Sequence, residues 1–139
     1  MGKINTGRVL IGGLAAGVVA NLFDFISNEY LLKADWEVVA SLRNLDPAAL
    51  QASMTTWIIV DFVFGILLVF AYAAMRPRFG PGPKTALVSG FTLFIAVTAI
   101  LSGFVAMGMF TQAIFLKGTL FSVVTTAAAS LAGASLYKE

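Results

Sequence analysis

The stretch Arg76-Pro77-Arg78-Phe79-Gly80-Pro81-Gly82-Pro83-Lys84 decides the fold. It holds three of the nine cationic residues and three of the four prolines, and long apolar runs flank it on both sides. Proline lacks an amide donor and glycine frees the backbone, so this density ends one helix and turns the chain. The cations assign a side, because lysine and arginine accumulate in the cytoplasmic loops of membrane proteins. The run before the turn reaches back to Met54 with Asp61 as its only charge. The run after it, 85–116, has 32 residues and no charge.

Composition agrees. Hydrophobic residues make up 59% and charged residues 12% of the 139, and mean hydropathy is +0.91. Soluble domains carry about 25% charged residues. A chain this apolar cannot cover a water-soluble core with polar surface, so the bilayer is its solvent. The length allows one domain, 1–139. There is no cysteine and no histidine. That excludes disulfides, thiolate nucleophiles and sulfur metal sites, and removes the commonest general base and metal ligand. The net charge of +2 forms no basic stripe with interleaved aromatics, so no nucleic-acid partner is expected.

Four spans are predicted, over 8–31, 54–75, 85–107 and 113–137. Each meets the roughly 20 apolar residues a crossing helix needs. For the first, a cleaved signal peptide is the rival reading, since Lys3 and Arg8 precede an apolar run ending in Val18-Val19-Ala20. Against it, apolar residues resume beyond Ala20 and three more spans follow. The uncharged run 85–116 is too long for one span, and its weakest helical stretch is Ala106-Met107-Gly108-Met109-Phe110-Thr111-Gln112. Between spans one and two, Asp35-Trp36-Glu37-Val38-Val39-Ala40-Ser41-Leu42 reads as a short amphipathic helix lying in the interface. Asp46-Pro47 reads as a helix start, with Asp as N-cap and Pro in the first helical position.

Lys3, Arg8, Arg76, Arg78, Lys84 and Lys138 all fall on one side of this arrangement. The other side balances Lys33 and Arg43 with Asp35, Glu37 and Asp46. Both termini are therefore expected in the cytoplasm. The expected fold is all-α: a transmembrane four-helix bundle with an interfacial helix between its first two spans. Val9-Leu10-Ile11-Gly12-Gly13-Leu14 and Ala86-Leu87-Val88-Ser89-Gly90-Phe91 echo each other weakly, as two related hairpins would.

The residues that can carry chemistry form a polar layer. Asn21, Asp24 and Asn28 share one helix face, near that of Gly13 and Gly17. Val19, Leu22, Phe23 and Ile26 point elsewhere, toward lipid. Trp57, Asp61, Gly65, Leu68 and Tyr72 share a face of the second span. Counted from Arg8 and Arg76, Asp24 and Asp61 lie at similar heights, about 24 and 22 Å along their helices. Thr98, Ser102, Ser122 and Thr125 complete the layer. Two aspartates in hydrocarbon would not both stay charged and unpaired at close range. Three resolutions are open: a proton, cation or small-ligand site using these eight residues; a hydrogen-bonded layer that fixes helix register; or a basic residue on a missing subunit. The glycine pair serves dimerisation or close packing within one chain. Arg76, Arg78 and Lys84 are candidates for lipid head-group binding.

Tyr72-Ala73-Ala74-Met75 with the basic Pro/Gly turn, Arg8-Val9-Leu10-Ile11-Gly12-Gly13 and Leu131-Ala132-Gly133-Ala134-Ser135-Leu136-Tyr137 resemble segments of small bacterial four-span inner-membrane proteins of unknown function. The resemblance covers the whole length as a four-span pattern, and only the basic turn is specific. It implies a bacterial inner (plasma) membrane and carries over no activity and no site residue. Serines and threonines without a histidine, and a Gly80/Gly82 loop without the Gly-Lys-Ser/Thr ending, argue against an enzyme. No metal or cofactor is expected. The leading expectation is a structural or accessory subunit that packs with itself or a larger membrane-protein partner in the bilayer. The alternative is a small proton- or cation-dependent carrier, or a ligand-binding protein, using the acidic cluster.

Overall fold

The computed structural model describes residues 4–138, so the cationic flank expected at Lys3 lies outside the described residues. Helix α1, Thr6–Ile26, continues through one π-helical turn, Ser27–Leu31. Then follow α2, Lys33–Leu42; α3, Pro47–Phe79; α4, Pro83–Ala106; and α5, Gln112–Leu136. Among the described residues there is no strand. Four helices are long and apolar enough to cross a membrane: α1 with its π turn, α3, α4 and α5. Local chemistry starts several of them. The side chains of Asn5, Asp46 and Thr111 accept from the amides of Arg8, Ala48 and Ile114 at 3.1, 2.9 and 3.2 Å. Each satisfies an amide that the first turn would otherwise leave unpaired.

Helix α3 ends later than the sequence reading placed it. It runs past Met75 and through Pro77 to Phe79. So close to the C-terminus, proline forfeits one backbone bond, while its fixed φ still suits a helix. The chain is released at Gly80 and Gly82, whose φ values of +80° and +132° favour glycine. With 33 residues, α3 is ~50 Å long, against about 30 Å of hydrocarbon.

Around the bundle the order is α1, α3, α4, α5. Helix α1 packs on α3 and α5, α4 packs on the same two, and α1 and α4 do not touch. The echoed segments therefore lie on parallel helices at opposite corners. Both bury the same three places: Val9, Gly12 and Gly13 on α1, and Ala86, Ser89 and Gly90 on α4.

The core lies at one end of this ring, called here the basic end because it carries the 76–84 turn. Its buried cluster comprises Val9 and Ala16 from α1, Leu68, Val69, Tyr72 and Ala73 from α3, Ala86 from α4, and Ala129, Ala134 and Tyr137 from α5 or just beyond it. Small residues let backbones approach, which is how helices gain contact where lipid is as apolar as their side chains. Val19 packs against this cluster and Phe23 stacks on Phe121 at 6.1 Å, so neither points to lipid as their spacing had implied. They face α5, a second neighbour of α1 that one helix's periodicity does not reveal. Tyr72 and Tyr137 are buried and meet edge-to-face at 6.0 Å. Arg76 lies 5.8 and 5.2 Å from their ring centres. Their hydroxyls accept from the amides of Gly82 and Asn5, both at 3.2 Å, closing the basic end.

Helix α2 covers part of the opposite end, the cap end. Asp35 pairs with Lys117 at 2.7 Å, Trp36 packs edge-on against Phe110 at 5.9 Å, and Arg43 donates to the Gly108 carbonyl. Trp36 Nε1 also donates to Asn28 Oδ1 at 2.9 Å. Glu29, hydrogen-bonded to Lys33 at 2.6 Å, raises that ammonium's pKa above the usual lysine value. Partly exposed ion pairs contribute little to global stability. Lys117→Ala is therefore expected to leave unfolding nearly unchanged while amide exchange across 33–46 rises about fivefold, equivalent to ~1 kcal/mol of local docking. Unchanged exchange there would show that the aromatic contacts alone hold α2 down.

Candidate functional site

The geometry of the polar layer follows from the α1–α3 seam. Glycines line it from both sides. A Cβ placed on Gly13 would lie 2.6 Å from the Cα of Ile66, and one on Gly17 would lie 2.8 Å from the Cα of Phe62. One turn further, Asn21 Nδ2 donates to the Ile58 carbonyl at 3.3 Å and to its own helix at Gly17 at 2.9 Å. Gly13, Gly17 and Asn21 thus face Ile66, Phe62 and Ile58, in steps of four on two antiparallel helices. The glycines serve packing within the chain.

That pairing sets heights. Extended, it puts Asp61 level with Val18 and Asp24 level with Thr55. The two aspartates are offset by about six residues, or ~9 Å along the axis. The equal heights inferred from the sequence do not hold, because the cations used as reference are not level. By the same pairing, Arg76 lies about five residues further toward the basic end than Arg8. Asp61 therefore sits near the middle of the bundle's length, and Asp24 closer to the cap end.

Both aspartates are half-buried and lie on faces turned toward the bundle interior. Among the described residues neither carboxylate has a hydrogen-bond or ion-pair partner. Lys117, the nearest cation by sequence, is engaged by Asp35. No group of three or more His, Cys, Asp or Glu side chains among the described residues could hold a metal ion.

The other predicted residues divide. Thr125 is buried and Ser122 half-buried on the face of α5 that meets α1. Asn28 is exposed, and its amide donates to the Asp24 backbone carbonyl at 2.8 Å. Thr98 is half-buried and Ser102 exposed, with its hydroxyl donating to Ala99 O of its own helix at 2.7 Å. Thr98 and Ser102 stand on α4, which does not reach α1. At the basic end, Arg78 and Lys84 are exposed, whereas Arg76 is held between the two tyrosines.

What sequence reasoning missed is that the bundle opens. Helix α3 buries residues only between Gly65 and Ala73, and α4 only between Thr85 and Gly90. Toward the cap end the same faces lose their cover. Trp57, one turn before Asp61 on its face, is 58% exposed, and Ile100, on the continuation of the buried α4 face, is 63% exposed. From 54 to 60 every residue of α3 is exposed. The cap-end halves of α3 and α4 thus stand apart, leaving a lateral opening with Asp61 at its inner edge and Asp24 behind it on α1. The glycines that make close contacts on α3, α4 and α5, namely Gly65, Gly90 and Gly133, lie toward the basic end, whereas a Cβ on Gly103 of α4 would meet nothing within 4 Å. Two surface clefts of about 270 Å³ lie elsewhere, one beside Tyr72 and Ser135 and one beside Ser102 and Leu116. Compared with protein-family models, curated proteins and solved structures, the chain matches none.

Proposed function

We propose that this chain is a non-enzymatic membrane protein, a structural or accessory subunit that packs with itself or a partner through the cap-end halves of α3 and α4. The observation that carries the reading is the uncovered interior face of these helices, where Trp57 and Ile100 are exposed on faces that are buried two to three turns away. Small-residue packing holds the basic end closed, and among the described residues α2 covers only part of the other end. Placement follows from charge. Arg8, Arg76, Arg78, Lys84 and Lys138 sit at the basic end, whereas the cap end mixes both signs. That distribution supports cytoplasmic termini, with α2 in the outer interface, and the resemblance of the basic turn to small bacterial four-span proteins supports a bacterial inner (plasma) membrane. The exposed Arg78 and Lys84 are available to anionic head groups there.

A photoreactive residue at Ile100 tests the reading. It is expected to give one discrete protein adduct in membranes, of a second copy or a partner. The same residue at Leu120, 72% exposed on α5, should give lipid adducts alone. Lipid adducts alone at both positions would overturn the assembly reading. Two half-buried carboxylates, Asp24 and Asp61, without a hydrogen-bond or ion-pair partner among the described residues support a second reading, a proton- or cation-dependent carrier or ligand-binding protein. Flux through reconstituted vesicles that is lost in Asp61→Asn, with the Ile100 adduct intact, would favour it.

A further inference from the structure

The lateral opening places a carboxylate where a particular kind of partner can meet it. We propose that the opening between α3 and α4 receives a transmembrane helix of a different protein, one that carries a single lysine or arginine near its midpoint, and that Asp61, backed by Asp24, pairs with that cation. The proposal rests on the assembly reading above and names the partner's chemistry.

Depth selects the occupant. Asp61 lies near the middle of the bundle, level with Val18 of α1. A lipid's cationic group stays at the head-group level and cannot descend to that depth. A side chain can, because its own helix delivers it there. A metal ion is a poor match, since hard cations take six or more oxygen ligands and no group of three or more His, Cys, Asp or Glu among the described residues could hold one. The carboxylate of Asp61 matches a single cation, and in hydrocarbon such a pair is the usual means of keeping either charge.

The charge pattern also excludes a second copy as the occupant. Within the spans between Arg8 and Arg76 the chain carries only acids. In the later spans Lys84 lies at the basic end, far from Asp61, and Lys117 lies near the cap end and already binds Asp35. Two copies meeting at this opening would bring Asp61 toward Asp24 and Asp61 again, with no cation between them. The exposed stretch 54–60 of α3 is about 10 Å long, two turns, and runs from the cap end to the half-buried Asp61 near the middle of the bundle.

The test uses the whole chain in phosphatidylcholine nanodiscs. Because the protein has no cysteine, Ser41→Cys on exposed α2 takes a single donor dye. The probe is an acceptor-labelled Leu/Ala helix of about 22 residues with arginine or leucine at its midpoint. Energy transfer from the arginine peptide is expected at roughly tenfold lower peptide-to-lipid ratio than from the leucine peptide. Asp61→Asn should abolish that difference, Asp61→Glu should keep it, and Asp24→Asn should reduce it. If both peptides bind wild type equally, the charge pairing is wrong and helix docking stands. If Asp61→Asn keeps the preference, Asp61 is not the recipient. If neither peptide binds and the chain pairs with itself in the same discs, the opening belongs to a second copy and the proposal falls while the assembly reading survives. If neither peptide binds and the chain stays monomeric, both fall.

Discussion

Gly65→Leu is expected to separate α1 from α3 and to cost the bundle about 3 kcal/mol, the upper part of the range for overpacked interiors. A Cβ at Gly65 would meet the Gly13 carbonyl oxygen and lie 2.6 Å from the Gly17 amide nitrogen. Both obstacles are backbone, so neither can rotate away, and the helices must move apart along the whole seam. That movement also breaks the Asn21–Ile58 bond, which is already 3.3 Å long. Gly103 is the control, because a Cβ there meets nothing within 4 Å. Gly103→Ala should be neutral or stabilise by about 0.5–1 kcal/mol through helix propensity. Denaturation in detergent micelles, followed by energy transfer between dyes on α1 and α3, measures both. Equal stability of the Gly65 variant and wild type would mean that the seam is not a packed contact.

Asp61→Leu is expected to act the other way on the isolated chain. An aspartate at a helix centre disfavours insertion by about 2.5–3.5 kcal/mol, and a leucine favours it by about 0.3–0.6. The exchange should improve insertion of the α3 span by roughly 3–4 kcal/mol in a translocon assay. The same substitution should remove binding of the arginine-bearing probe. A stabilised chain that no longer assembles is what an acid placed for a partner predicts. If Asp61 served only to fix helix register inside the chain, Asp61→Leu would leave assembly intact. If insertion did not improve, the carboxylate would already be hydrated through the opening, and the cation-pairing proposal would lose its driving force.

The four long helices were legible because an uncharged run of more than 20 residues has few solutions in a membrane. Caps were legible too, since Asp46-Pro47 carries its mechanism in two letters. The end of α3 was not. Pro77 looks like a terminator, yet two residues from a helix end it forfeits little, and the stop is set by Gly80 and Gly82. Depth was misread for a related reason. Counting from Arg8 and Arg76 assumed level cations, whereas the glycine seam fixes register, and glycine contacts are properties of two helices together. The facing of Val19 and Phe23 failed likewise, because which neighbours a helix has depends on the ring order. The eight-residue layer was read as continuous because each helix was taken as packed along its full length. Thr98 and Ser102 stand on the cap-end half of α4, which meets α5 and does not reach α1, so the layer does not close around Asp24.

The ring order fixes a sequence of events during synthesis. Helix α1 meets α3 through Gly13, Gly17 and Gly65 as soon as α3 has entered the membrane. Its other side, Gly12 and Ala16, must wait for Gly133 on α5. Until α5 is made, the nascent bundle exposes a strip of small residues along α1 that fits any helix of similar shape. The Tyr137 hydroxyl then reaches the Asn5 amide and Arg76 settles between Tyr72 and Tyr137. Assembly of the monomer is thus completed at the basic end, after the cap-end limbs of α3 and α4 are in place. On the proposed pairing, a partner helix present during translation would meet α3 and α4 before the clasp at the far end has closed.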